Sequence, residues 1–349
     1  MLRVAMIALV AGVTQCDLYV NSEEPENYYE FREFDILTLG KNISDMMLDP
    51  QRPYLYLTDY GNNAVLRIDV SDKMKVDRTL VLGSHPIAMD ITPDQHNLIV
   101  ALNGESNLKI IELADFTFAD KVPVSLVGIN DFVCNTNSRI FVSAYTEPNV
   151  VSLTLPDKQE REEIIRSGEL LASPDGNKIF VASTNILQKY DLSSGFITQE
   201  AWSAPFGFQA KINDFVYDPT GGQLFLCLAD EEDHTRVRDI LAFSTDDLTL
   251  TGKFEIKSAG MGVAVSKDGK RVFVAPTDAD AAGVFIVEFD AETKLEKEYY
   301  LVAGNLKPKG IVIDQTDQYL YVVVNSPGDN DSFEPYNNNS FDLQRIKVF

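Results

Sequence analysis

The sequence predicts an all-β protein, a seven-bladed β-propeller of four-stranded antiparallel blades. Two observations carry this prediction: a short apolar strand recurs seven times, and a turn of matching chemistry precedes it in copy after copy. A third is the rarity of helical patterning. Apart from a weak helical candidate at Glu160 to Ile165, no 3.6-residue apolar period lasts longer than a turn or two.

The recurring strands are Leu55-Tyr56-Leu57, Leu98-Ile99-Val100, Ile140-Phe141-Val142, Ile179-Phe180-Val181, Leu224-Phe225-Leu226, Val272-Phe273-Val274 and Leu320-Tyr321-Val322. Their centres are 43, 42, 39, 45, 48 and 48 residues apart, the length of a unit of four short strands. Seven such units close a ring. The central Tyr and Phe side chains belong in the core between sheets.

Ser173-Pro174-Asp175-Gly176 is the cleanest copy of the turn, and Ser266-Lys267-Asp268-Gly269 follows it closely. Asp49-Pro50-Gln51-Arg52, Thr92-Pro93-Asp94-Gln95 and Asp218-Pro219-Thr220-Gly221 are variants. The leading Ser, Thr or Asp is expected to accept from a backbone N–H two residues on. Pro presets φ, and a closing Gly takes the left-handed conformation at no steric cost.

Third strands alternate apolar and polar residues, as in Val65 to Val70 and Gln344 to Phe349. Fourth strands are expected at Val76 to Leu82, Val122 to Leu126 and Leu248 to Ile256. The strand feeding the turn is itself duplicated, Ile129-Asn130-Asp131-Phe132 returning as Ile212-Asn213-Asp214-Phe215. The last unit stops after its third strand, whereas Phe31 to Leu39 precedes the first unit with the alternation of an extra one. That segment is expected to complete the last blade, joining the chain ends and removing open edges. Residues 31–349 then form a single propeller domain.

Upstream, residues 1–15 read as a signal peptide, with Arg3 in a short n-region and an apolar stretch from Val4 to Val13. Cys16 follows, then a polar tether to residue 30. The arrangement resembles a bacterial lipoprotein signal, which implies lipidation of Cys16; Gln15 stands where that pattern has a small residue. Cys134 and Cys227 lie in apolar runs two repeats apart and are expected to be buried free thiols.

Gly83-Ser84-His85-Pro86-Ile87-Ala88-Met89-Asp90-Ile91-Thr92-Pro93-Asp94 resembles the repeat of the YVTN family of seven-bladed propellers, and Tyr56-Leu57-Thr58-Asp59 echoes its eponymous tetrapeptide. The resemblance covers about residues 31–349. It implies surface-layer, secreted or lipoprotein binding proteins, with lactonases among related propellers. Such a fold does not by itself define chemistry.

Charge narrows the classes. With 53 Asp+Glu against 30 Lys+Arg the formal net charge is −23, and no basic run offers a phosphate track, so nucleic acid is not an expected partner. Anionic lipid is disfavoured likewise, leaving the N-terminal lipid as the membrane contact. Three histidines rule against a His-rich metal centre, and no CxxCH, HExxH, GxSxG or Gly-rich phosphate loop is present.

In a four-stranded blade, the loops entering the first strand and those joining the second and third emerge on one face. His85, Met261 and Lys307 lie in entering loops and are expected to contribute to ligand binding there. The long segments Asp230 to Arg238, Thr277 to Gly283 and Asn325 to Ser340 are expected to wall one side of the mouth, with Tyr336 among the binding residues. Their acids Asp329, Asp331, Asp278 and Asp280 are the weak candidates for calcium, though Asp329 to Phe333 fails the EF-hand spacing. No other cofactor is expected.

Trp202, Phe206 and Phe208 cluster in the connection between the fourth and fifth units. They either stack on a ligand or plug a gap between blades. The reading is an extracytoplasmic, non-enzymatic binding or scaffold propeller. It is expected to be monomeric, at the cell envelope or secreted, with a protein, carbohydrate or small-molecule partner. A lactonase-like hydrolase acting at the channel mouth is the alternative.

Overall fold

Seven four-stranded antiparallel sheets account for every strand of the residues described in the computed structural model, which are 34–230, 239–256, 259–276, 284–325 and 340–348. Strand β1 (Phe34–Lys41) precedes blade 1, formed by β2 (Ile43–Leu48), β3 (Tyr54–Asp59), β4 (Ala64–Asp69) and β5 (Lys75–Val81). Blade 2 holds β6 (Pro86–Ile91), β7 (Asn97–Leu102), β8 (Asn107–Glu112) and β9 (Thr117–Pro123). Blade 3 holds β10 (Ile129–Thr136), β11 (Arg139–Ala144), β12 (Asn149–Thr154) and β13 (Gln159–Arg166). Blade 4 is the shortest, with β14 (Glu169–Ala172), β15 (Lys178–Ala182), β16 (Leu187–Asp191) and β17 (Thr198–Trp202).

Blade 5 comprises β18 (Ala210–Tyr217), β19 (Gln223–Asp230), β20 (Asp239–Ser244) and β21 (Leu250–Glu255). Blade 6 comprises β22 (Gly260–Val265), β23 (Arg271–Pro276), β24 (Val284–Asp290) and β25 (Glu296–Val302). Blade 7 has only three strands from its own repeat, β26 (Leu306–Ile313), β27 (Tyr319–Asn325) and β28 (Ser340–Lys347). Its fourth is β1, antiparallel to β28 from Phe34↔Ile346 to Thr38↔Asp342. The expected closure is therefore observed, within the described part of that segment.

Side-chain alternation explains how the blades join. Inward positions of one sheet interdigitate with those of the next, giving one apolar cluster at each of the seven blade interfaces. The cluster between blades 7 and 1 unites Leu39 and Ile43 with Tyr321 and Phe341, so the chain ends share a core. Cys134 and Cys227 are buried free thiols, as expected.

Three local expectations change. Glu160 to Ile165 is strand, part of β13, where Glu163 and Ile165 are buried and their neighbours exposed, a period of two. Its run of charges belongs to an outermost strand facing water. The fourth strand of blade 2 starts at Thr117, ahead of the apolar stretch, because that outer strand is solvated almost throughout.

The Ser and Thr turns also use a different bond. Ser173 Oγ accepts from the Lys178 amide at 2.9 Å and Ser266 Oγ from the Arg271 amide at 2.9 Å, five residues on. The acceptor for the nearer amide is the turn's Asp, as in Asn177 N–H to Asp175 Oδ1 at 3.0 Å. Where Asp itself leads, the two-residue bond forms as expected: Gln51 N–H to Asp49 and Thr220 N–H to Asp218, both 2.9 Å. In the Ser-led turns the hydroxyl is committed otherwise, donating to the turn's Asp while it accepts from the amide five residues on.

Candidate functional site

The first strand of each blade lines the central channel and has no neighbour on its inner edge, so its outward amides need acceptors. The preceding blade supplies them. Asp45 Oδ2 accepts from Met89 N–H at 2.8 Å, Asp90 Oδ2 from Cys134 at 2.7 Å, Asp131 Oδ2 from Leu170 at 2.8 Å and Asp214 Oδ2 from Val263 at 2.9 Å. Each bond ties one blade to the next. Lys307 Nζ adds the closing tie, donating to the Ser44 carbonyl at 3.0 Å from blade 7 to blade 1.

Lys309 crosses the channel. Its Nζ lies 2.5 Å from Glu169 Oε2 and 3.9 Å from Asp131 Oδ1, joining blade 7 to blades 4 and 3. Burial works against its charge, but the carboxylates of Asp131, Glu169 and Asp45 overcome this and hold it protonated. Burial pushes Lys307 down to about 8. The same burial raises Asp45, and lifts Asp90 and Asp214 to about 7, despite the amides they accept from.

This has a measurable consequence. Asp90 and Asp214 hold protons in the folded state that they release near pH 4 when unfolded, so stability falls as pH rises between about 4 and 7. Each group contributes up to about 1.4 kcal/mol per pH unit inside that window. Surface acids such as Asp69, lowered to about 2 by the hydroxyl and amide of Ser71, titrate below it. The thermal midpoint is expected to fall by on the order of 5 °C from pH 5 to pH 7.5. Asp90→Asn and Asp214→Asn together should flatten that slope, whatever they do to absolute stability; an unchanged slope in calorimetric scans contradicts the assignment.

On the face where the entering loops emerge, a cleft of about 910 Å³ opens over blades 3 to 5. Blade 4 is short, so the neighbouring blades rise on either side of it. Gly168 lets the chain pass close to the floor: a Cβ there would sit 2.4 Å from the Ala182 carbonyl oxygen. Gln188 and Trp202, cross-strand partners on β16 and β17, face the cleft together. Gln188 is 7% exposed and its Oε1 has no partner among the described residues; Ser167 Oγ on the lining is orphaned in the same way. A buried acceptor left unmade costs stability, which marks the spot as built for a donor. Tyr145 and Trp202, 73% and 64% exposed, line the opening.

Of the residues expected to bind ligand, Trp202 is placed on this cleft. Phe206 and Phe208 are not: their rings lie 6.4 Å apart, and Phe206 is 6.3 Å from Phe243, filling the gap between blades 4 and 5. Met261 is buried between blades 6 and 7. His85 stacks on Tyr60 at 4.3 Å near blades 1 and 2, and Lys307 is the channel tie described above. Tyr336, Asp329, Asp331, Asp278, Asp280 and Cys16 lie outside the described residues. Among the described residues no group of three or more His, Cys, Asp or Glu is placed to hold a metal ion.

Sequence reasoning passed over Gln188, Ser167 and the channel acids. The last carried a signal, an Asn-Asp pair between apolar residues of the first strand in Ile129 to Phe132 and again in Ile212 to Phe215.

No family model matches the chain, and no curated protein matches it. A solved structure similar to it is hydrazine synthase from Kuenenia stuttgartiensis, 12% identical with a TM-score of 0.65, covering 93% of this chain and 99% of that one. At that identity the likeness shows the shared propeller fold alone.

Proposed function

We propose that the protein is a non-enzymatic binding propeller whose ligand site is the cleft over blades 3 to 5. The observation that carries this is the orphaned Gln188 Oε1 beneath an exposed Trp202. A flat apolar ring beside an unmet acceptor suits a sugar, which presents a C–H face and hydroxyl donors together. Binding is favoured over hydrolysis because Glu169, the acid on the cleft floor, has both oxygens engaged. Oε2 holds Lys309 and Oε1 accepts from Asn130 Nδ2 at 3.2 Å, an arrangement that leaves Glu169 unable to act as a free base; the other acid of the lining, Glu147, is exposed at its edge. The YVTN-like motifs and the lipoprotein-like segment ending at Cys16 support an envelope-tethered form of this reading.

Trp202→Ala is expected to weaken binding of oligosaccharides by roughly tenfold, since lost ring stacking is worth about 1–1.5 kcal/mol. Its thermal midpoint should hardly move, because the ring is 64% exposed. Isothermal calorimetry with a panel of neutral and acidic oligosaccharides checks this. A panel that binds with no loss in the variant, or that does not bind at all, counts against the reading.

A further inference from the structure

We infer that the saccharide taken by this cleft is acidic, a chain containing hexuronic acid residues; this rests on the binding reading above. The argument is electrostatic. Two cations line the cleft, Arg166 at the end of β13 and Lys211 near the start of β18, one on each side of blade 4. Both are exposed, and neither forms an ion pair among the described residues. Several other guanidinium groups of this acid-rich chain are answered locally: Arg67 by Asp77, Arg139 by Glu163 and Arg345 by Asp35.

The cleft's own acids do not supply the missing partners. Glu169 is taken by Lys309, and Glu147 on the lining forms no ion pair with Arg166 or Lys211. Lys309 beneath the floor is the counter-charge of Glu169, and burial pushes the Asp131 carboxyl well above the usual carboxylate range. The surface of a chain carrying a net charge of −23 therefore turns locally cationic over this opening. A guanidinium and an ammonium flanking a stacking ring and an orphaned amide oxygen match a sugar carboxylate beside sugar hydroxyls. Simple anions lack the ring face for Trp202, and neutral sugars lack the charge.

The test uses the full chain and paired probes: hexuronic acid trisaccharides and the neutral hexose trisaccharides of the same linkages, titrated by calorimetry at low and high salt. The acidic member of a pair should bind about tenfold more tightly at low salt, the margin narrowing as salt rises. The double variant Arg166→Gln/Lys211→Gln should bring the two affinities together while leaving the thermal midpoint in place. Equal binding of both members by the unaltered chain overturns the inference and leaves the cleft reading standing. So does an acid preference that survives in the double variant. Failure of every trisaccharide to bind removes the cleft reading itself and the inference with it.

Discussion

A chain lacking β1, the strand Phe34–Lys41, is expected not to fold as a cooperative monomer. That strand is the outer edge of blade 7 and pairs along β28. It also places Leu39 in the cluster holding Ile43, Tyr321 and Phe341, which joins blade 7 to blade 1. Its Asp35 accepts from Arg345, whose guanidinium also reaches the Asp72 carbonyl of blade 1. Deletion would open the ring at its one discontinuous blade and leave β28 as an unpaired edge, a template for intermolecular pairing. Circular dichroism melts and sedimentation velocity check the result. A monomer with a sharp transition within a few degrees of the intact chain contradicts it.

The second large effect is expected from Lys309→Met. The ammonium is the counter-charge for Asp131 and Glu169, and removing one partner of a buried set leaves the others uncompensated. Such losses run to about 3–5 kcal/mol, here a drop in thermal midpoint of roughly 10 °C. The deficit has a pH signature. Without the lysine the Asp131 carboxyl, which burial already pushes well above its usual range, resists ionisation further in the folded state, so the variant loses most at high pH and recovers toward pH 4, where that group is protonated in both states. A loss independent of pH would mean that Lys309 matters through its methylenes, not its charge.

How much of this was legible beforehand depends on whether the causal pattern is local. Strand positions, the blade count and the closing strand follow from alternation and repeated turns, which are written into neighbouring residues. Leu55 to Leu57 announces its own burial. The role of Asp90 does not, because its partner is the amide of Cys134, one blade away. Lys307 reads as an entering-loop residue, yet it lies in β26 with Lys309, whose side chain reaches Glu169 across the channel.

The cleft was harder still. It comes from the brevity of blade 4, visible only as the shortest step between repeats, 39 residues, a weaker signal than the long segments of blades 5 to 7. Gln188 and Ser167 are ordinary in sequence; what singles them out is an oxygen with no partner after folding that lies on the cleft lining. For the aromatic trio, the structure separates one exposed ring from two that plug a gap, a distinction that spacing alone does not contain.

Trp202 is the single tryptophan of the chain, so its emission reports on the cleft and on nothing else. Titrating the intact protein with the tightest-binding oligosaccharide, while following fluorescence and its quenching by acrylamide, tests the placement of the site directly. The account predicts a saturable spectral change with the calorimetric affinity, and shielding of the indole from quencher. Heat of binding with an unmoved, fully quenchable Trp202 would put the ligand elsewhere on the ring.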